Sequence, residues 1–180
     1  MNKSDHDIAI NTTSAEETVR VGAALGRCCA AGDIVALQGE LGAGKTQLVR
    51  GLAEGLGLEP RHVSSPTFVL MQEYESADDR DDHPTLVHID AYRIKSEEDL
   101  TSIGWLGRGE EMRENAVVAI EWAALIEPAL GDDVLWINIT HEPFGRCVVL
   151  SARGAWQAKI SLLTKALQDA GLVVAKGNET

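Results

Sequence analysis

The alternation of apolar and polar residues changes period several times along the 180-residue chain, and each change marks an element. Ile8 to Thr12 has the length and pattern of a short strand. Ser14-Ala15-Glu16-Glu17 fits a capping box, with Ser14 as N-cap and Glu17 three residues on. The helix it opens is expected to run to about Ala31, with Val21, Leu25 and Cys28 or Cys29 on one face and Gly32 ending it. Asp33 to Gln38 is an apolar run of strand length. From Gln47 to Gly57, Leu48, Leu52 and Leu56 fall at helical spacing, with Gly57 as the C-cap. Pro66 then excludes helix and holds Ser65 extended. From Thr67 to Tyr74 the β-branched and aromatic content reads as strand.

Leu86 to Arg93 alternates, with Leu86, His88 and Asp90 on one face and Val87, Ile89 and Ala91 on the other. It pairs most economically with the preceding strand as a hairpin. Between them, Ser76 to Pro84 is polar and acidic and reads as an exposed loop. Ser96 opens a short capped helix ending near Gly104. Trp105 to Glu114 has no clear period beyond a helical turn or two. Ala116 to Ile120 is apolar throughout, as a strand buried on both faces must be, and it ends in Glu121-Trp122. Val134–Thr140 and Arg146–Leu150 are two more strands joined at Pro143 and Gly145. The last helix, from about Trp156 to Ala170, carries Ile160, Leu163 and Leu167 on one stripe, and the terminal residues read as frayed. The pattern predicts one α/β domain over residues 1–180, with a mixed, partly antiparallel sheet flanked by helices. Its core is expected over about 8–153 and its C-terminal helix over about 155–171.

The element boundaries leave the stretch Gly39-Glu40-Leu41-Gly42-Ala43-Gly44-Lys45-Thr46 between a strand and a helix. It reads G-x-x-x-x-G-K-T, the phosphate-binding loop of a nucleoside triphosphatase, and makes the expected domain a P-loop NTPase-type, three-layer fold. Glycines let backbone N–H groups curl around a triphosphate, and the helix N-terminus adds partial positive charge. Lys45 is expected to reach the β- and γ-phosphates, and the Thr46 hydroxyl to bind Mg²⁺. Hydrolysis or transfer further needs a second cation anchor and a group that positions the attacking oxygen. Glu121 and Asp90, each at the end of an apolar strand, are the candidates. Thr67, after the rigid Pro66, can sense a γ-phosphate or simply start a strand. Trp122 reads as a shield beside the site or, on bare pattern, as core, His88 as a core or orienting residue in reach of Asp90, and Arg93 as a phosphate contact or a solvated strand end.

Composition narrows the rest. Hydrophobic residues make up 44% of the chain, and sixteen basic residues against twenty-eight acidic ones give a net charge of −12. That balance opposes autonomous tight binding to nucleic acid, which depends on Lys and Arg displacing counterions. No apolar run is long enough to span a membrane, and Met1 to Asp7 lacks a signal pattern, so a soluble cytoplasmic protein is expected. Cys28, Cys29 and Cys147 have no metal-ligand spacing and read as reduced structural thiols.

Four motifs occur in order: Gly-Glu-Leu-Gly-Ala-Gly-Lys-Thr at 39–46, Ser-Pro-Thr-Phe at 65–68, His-Ile-Asp-Ala-Tyr-Arg at 88–93 and Glu-Trp at 121–122. Together, over about residues 12–153, they resemble the bacterial TsaE (YjeE) family, the small ATPase of tRNA threonylcarbamoyladenosine biosynthesis. The resemblance implies ATP/ADP and Mg²⁺ as cofactors, TsaB and TsaD as protein partners, and tRNA as an indirect one. By motif it implies that Lys45 and Thr46 hold phosphate and Mg²⁺, and that Glu121 is the second Mg²⁺ ligand. It likewise makes Asp90 the essential acid near the γ-phosphate and Thr67 the switch threonine. The loop residues Gly39 to Thr46 and Gln47 would contact the nucleotide, with Thr13 or Ser14 on its adenine side. Gln47 stands where a second Thr is common, and the C-terminal helix extends past the family's usual end. Two other functions stay open on the residues alone. One is a small-molecule kinase, for which only scattered arginines (Arg80, Arg93, Arg108, Arg113) speak; the other is a nucleotide-dependent binding module without relevant turnover.

Overall fold

Strand and helix content follow the periodicities closely in the computed structural model, which describes residues 7–66, 69–76, 84–105 and 114–176. The strands are β1 (Ile8–Thr12), β2 (Ile34–Gln38), β3 (Met71–Tyr74), β4 (Thr85–Asp90), β5 (Ala116–Glu121), β6 (Val134–Glu142), β7 (Gly145–Ala152) and β8 (Val174–Lys176). The helices are α1 (Ala15–Gly26), α2 (Lys45–Gly55), α3 (Glu97–Ser102) and α4 (Ile160–Asp169). All eight strands form one sheet in the order β3-β4-β5-β2-β6-β7-β1-β8. The central strands β4, β5, β2 and β6 are parallel. β3 pairs antiparallel on one side, and β7, β1 and β8 continue antiparallel on the other.

The central strands are apolar because both of their faces are covered. Val35, Leu37, Ala119 and Ile137 pack under α1, α2 and α4, while Ala36, Val118, Ile120 and Trp136 pack with Leu100, Ile103 and Trp105 on the other face. On the first face α1 and α2 touch backbone to backbone. A Cβ added at Gly51 would stand 2.0 Å from the Val19 carbonyl oxygen, and one at Gly22 would stand 2.1 Å from that of Leu48. This close approach fixes α2, and with it the loop that precedes it, against the rest of the layer.

Several boundaries differ from the sequence expectation. α1 ends at Gly26, not near Ala31; the amides of Cys28 and Cys29 turn back to the carbonyls of Leu25 and Gly26 in a tighter winding. Ser14 caps α1 through the Glu17 amide at 3.2 Å, but the Glu17 carboxylate reaches Thr13, at 2.7 Å from its N–H and 3.0 Å from its hydroxyl. β3 starts only at Met71, because the Val69 and Leu70 amides both bond the Pro66 carbonyl and Leu70 sits at φ 66°. β4 stops at Asp90, whose side chain caps a 3-10 turn over Ala91–Arg93. The C-terminal helix begins as a 3-10 turn over Gly154–Lys159 before α4. Beyond it Val174–Lys176 pairs with β1 and covers that strand's open edge, and the frayed end expected of the last residues, 177–180, lies outside the described residues. The expectations for Thr67 and Phe68, for most of the acidic Ser76–Pro84 loop and for residues 106–113 lie outside the described residues.

Candidate functional site

The loop between β2 and α2 is built on glycines in the left-handed region, with Gly39 at φ 148° and Gly44 at φ 114°. At Gly39 a Cβ would also collide with the Ile139 carbonyl, 2.5 Å away, so the loop starts flush against β6. Gly44 is the N-cap of α2 and offers no side chain to cap it. The first helical bond is Leu48 N–H to the Gly44 carbonyl at 3.0 Å. The amides of Lys45, Thr46 and Gln47 thus have no acceptor within the helix, and they face outward at its positive end. Such an end is suited to an anion.

Lys45 is buried at the centre of this loop. Its ammonium donates to the carbonyls of Gly39 at 2.8 Å and Glu40 at 3.0 Å, and it lies 3.9 Å from the centroid of the Trp122 ring. An ammonium has three protons, so one remains to meet a ligand. Burial lowers the Lys45 pKa, opposed by the charges of Glu121 and Asp90.

The two strand-end carboxylates lie side by side. β4 and β5 run parallel in a register that pairs Asp90 with Glu121. Both are buried, at 3% and 4% exposure, which for carboxylates demands partners. Glu121 Oε1 accepts the Thr46 hydroxyl at 2.7 Å and lies 3.0 Å from His88 Nε2. Burial acts to raise its pKa, but His88, the Thr46 hydroxyl and Lys45 together hold it below the ordinary value of 4.5. Asp90 accepts the Tyr92 amide at 3.0 Å and the Ser65 hydroxyl at 3.4 Å. A cleft of about 550 Å³ gathers Gly44, Lys45, Thr46, Asp90 and Glu121, with Trp122 and Tyr92 as its aromatic wall. One hydroxyl and adjacent carboxylates form an oxygen donor set, which suits a hard divalent cation shared with phosphate. Among the described residues no cluster of three or more His, Cys, Asp or Glu could hold a metal alone.

A second cleft of about 390 Å³ continues past the loop and joins Thr13, Ser14 and Gln47 to Ala43, Gly145 and Arg146. Thr13 and Ser14 therefore stand at the phosphate loop's flank. Gln47 lines both clefts and accepts from Arg50 at 3.4 Å. Leu41 is 88% exposed at the loop tip. Glu40 and Gly39 line neither of these two clefts; they act through their carbonyls on Lys45 and border a separate hollow beside Asn138 and His141. Thr67 lies outside the described residues.

Other readings change. Trp122, read as a shield or as core, lines the cleft while packing half-buried against the core, with φ 58° and ψ 32°, and its ring lies 5.2 Å from that of Tyr92. His88 bonds across the sheet to Glu121, so its partner is on the neighbouring strand. Arg93 is exposed on the 3-10 turn. The sequence pattern gives Arg146 no role in the site. Its Nε donates to the Ala43 carbonyl at 3.0 Å, bracing the phosphate loop from the β6–β7 hairpin. Ser65 and Tyr92, at the Asp90 carboxylate, belong to the motifs at 65–68 and 88–93, whose pattern by itself gives them no role.

The parallel strand, glycine loop and following helix, with strand-end acids beside the loop, define a P-loop nucleotide-binding fold. A family model described as threonylcarbamoyl adenosine biosynthesis protein TsaE matches residues 12–148. The relative from Bacillus subtilis, a tRNA threonylcarbamoyladenosine biosynthesis protein TsaE, is 40% identical over 129 residues, 71% of this chain and 74% of its own. A relative of the same name from Streptomyces coelicolor is 40% identical over 124 residues, 66% of this chain and 76% of its own. The crystal structure of Bacillus subtilis YdiB superposes with a TM-score of 0.67 at 29% identity, covering 92% of this chain and 96% of that one. The chain belongs to the TsaE family.

Proposed function

We propose that this protein binds ATP with Mg²⁺ in the larger cleft and hydrolyses it as a subunit of the machinery that forms threonylcarbamoyladenosine in tRNA. In this reading Lys45 and the amides of residues 42–47 hold the phosphates. Thr46 and Glu121 would hold the cation, which would supply neutralisation of the phosphate charge. Asp90 orients the attacking water and takes its proton. The water oxygen bonds to the γ-phosphorus, the bond to the bridging oxygen breaks, and ADP and phosphate leave. Thr67 follows the γ-phosphate, and Thr13 and Ser14 meet the adenine side. The observation that carries the reading is the 2.7 Å bond from Thr46 to Glu121, which joins the phosphate loop to a strand end 75 residues away.

The partners proposed are TsaB and TsaD, with tRNA engaged through them, in the cytoplasm. The charge of −12 supports docking on protein over gripping tRNA. No helix among the described residues is long and apolar enough to cross a membrane. Turnover measured alone and with purified TsaB and TsaD tests this. Slow hydrolysis alone, faster with the pair and abolished in Lys45→Ala, is expected. Single-turnover hydrolysis that the pair leaves unchanged would favour a nucleotide-dependent binding module and refute the proposal.

A further inference from the structure

His88 is a fully buried histidine to which the proposed reaction gives no role. It sits at 0% exposure in β4, with Tyr74 from β3 packed near its ring at a centroid distance of 6.4 Å. Its Nε2 lies 3.0 Å from Glu121 Oε1. Its Nδ1 is sealed from solvent, with no hydrogen-bond partner among the described residues.

We infer that His88 is a positioning residue for the cation site: its Nε2–H, together with the Thr46 hydroxyl, pins Glu121 Oε1 and turns Oε2 toward the cleft. The argument is one of donors and acceptors. A carboxylate oxygen accepts, so across the 3.0 Å contact it is Nε2 that donates its N–H to Oε1. Nδ1 is buried with no acceptor among the described residues, so the geometry gives the Nδ1–H tautomer nothing to donate to. Oε1 is then taken by two donors, at 2.7 Å and 3.0 Å. No hydrogen bond from the described residues falls on Oε2, while Glu121 lines the cleft, so Oε2 is the oxygen left for a cation. Removing a group that orients a metal ligand in this way typically costs about ten- to a hundredfold in metal affinity. Without His88, Thr46 alone would hold a carboxylate that can rotate about its last bond.

The inference rests on the reading of Glu121 as a Mg²⁺ ligand, and its test separates the two. Binding of a fluorescent ADP analogue is titrated with Mg²⁺, and repeated in EDTA, for wild type, His88→Leu, His88→Gln and Glu121→Gln. His88→Leu should raise the half-saturating Mg²⁺ by about tenfold or more, and His88→Gln, whose amide donates at similar reach, should stay within about threefold of wild type. Binding in EDTA should not change in either His88 variant. Nitrogen NMR of the intact wild-type ring should show the Nε2–H tautomer. An Nδ1–H tautomer would overturn the inference. So would a folded His88→Leu with wild-type Mg²⁺ dependence while Glu121→Gln shifts it, or one that weakens EDTA binding as much as Mg²⁺ binding. A Glu121→Gln variant with unaltered Mg²⁺ dependence would remove the reading itself, and this inference with it.

Discussion

Gly51→Ala should destabilise the protein, although in most helices the same change stabilises. Alanine is favoured over glycine in a helix interior by about 1 kcal/mol, so propensity alone predicts a gain. The added methyl, however, would stand 2.0 Å from the Val19 carbonyl oxygen, 2.8 Å from the Ala23 nitrogen and 2.8 Å from the Gly22 Cα. Real Cβ contacts essentially never fall under 3.0 Å, so the two backbones must part by about 1 Å. Neither has a flexible side chain there to yield. α2 is anchored into the sheet by Leu48 and Leu52, both 0% exposed, and α1 by Leu25 and Val21, also 0% exposed. Overpacking of this kind costs about 3 kcal/mol, at the upper end of its range because backbone meets backbone. Net of propensity, the loss is about 2 kcal/mol, or about 1 M in the urea midpoint at the usual slope for a chain of this size. Glu54→Ala, on the exposed face of the same helix, serves as the control and should stay within about 0.5 kcal/mol of wild type. A Gly51→Ala protein as stable as wild type, or more so, would refute the close approach of α1 and α2.

Two further outcomes follow from the site. Arg146→Ala leaves the carbonyl of Ala43, a residue 1% exposed, without its 3.0 Å donor, and should weaken ADP binding about tenfold by calorimetry. Arg146→Lys should fail to restore it, because lysine has no donor at the Nε position; wild-type affinity in either variant would refute the bracing role. Glu121 is held below 4.5 in the folded state, so it stabilises the protein fully above about pH 4.5 and loses that contribution as pH falls through its folded value. The stability gap between wild type and Glu121→Gln should therefore narrow on acidification in denaturant titrations, and a gap independent of pH would refute the assignment.

What was readable in the chain was whatever is made by neighbours in sequence. The phosphate loop is contiguous with its strand and helix, so its letters and its flanks could be read together. Glu121 was found because a run buried on both faces announces itself, and its carboxylate is conspicuous at the end. The α1 end was overrun because Cys28 and Cys29 keep an apolar pattern after the helical hydrogen bonds stop. β8 was missed because a three-residue edge strand has no periodicity; only its pairing with Ile8–Ile10 makes it a strand. Arg146 was invisible as a site residue for a related reason. It reaches the phosphate loop because β7 pairs with β1, setting Arg146 opposite Thr12, next to Thr13 and Ser14. No local pattern carries that information.

Trp122 shows where sequence pattern leaves a choice open. A large aromatic after a buried strand is ordinarily core, and here the half-buried ring packs against the core and also closes a charged cleft. The cause lies in the backbone. A φ of 58° is costly for an aromatic side chain, about 1–3 kcal/mol, and persists only where surrounding contacts outweigh it. Those contacts are present: Lys45 lies over the indole at 3.9 Å and Tyr92 packs against it at 5.2 Å. In an extended conformation the chain after Glu121 would continue along the strand and carry the ring away from the loop. The left-handed turn reverses it directly after the carboxylate, so that one pair of consecutive residues supplies both the acid and the wall of the same cleft.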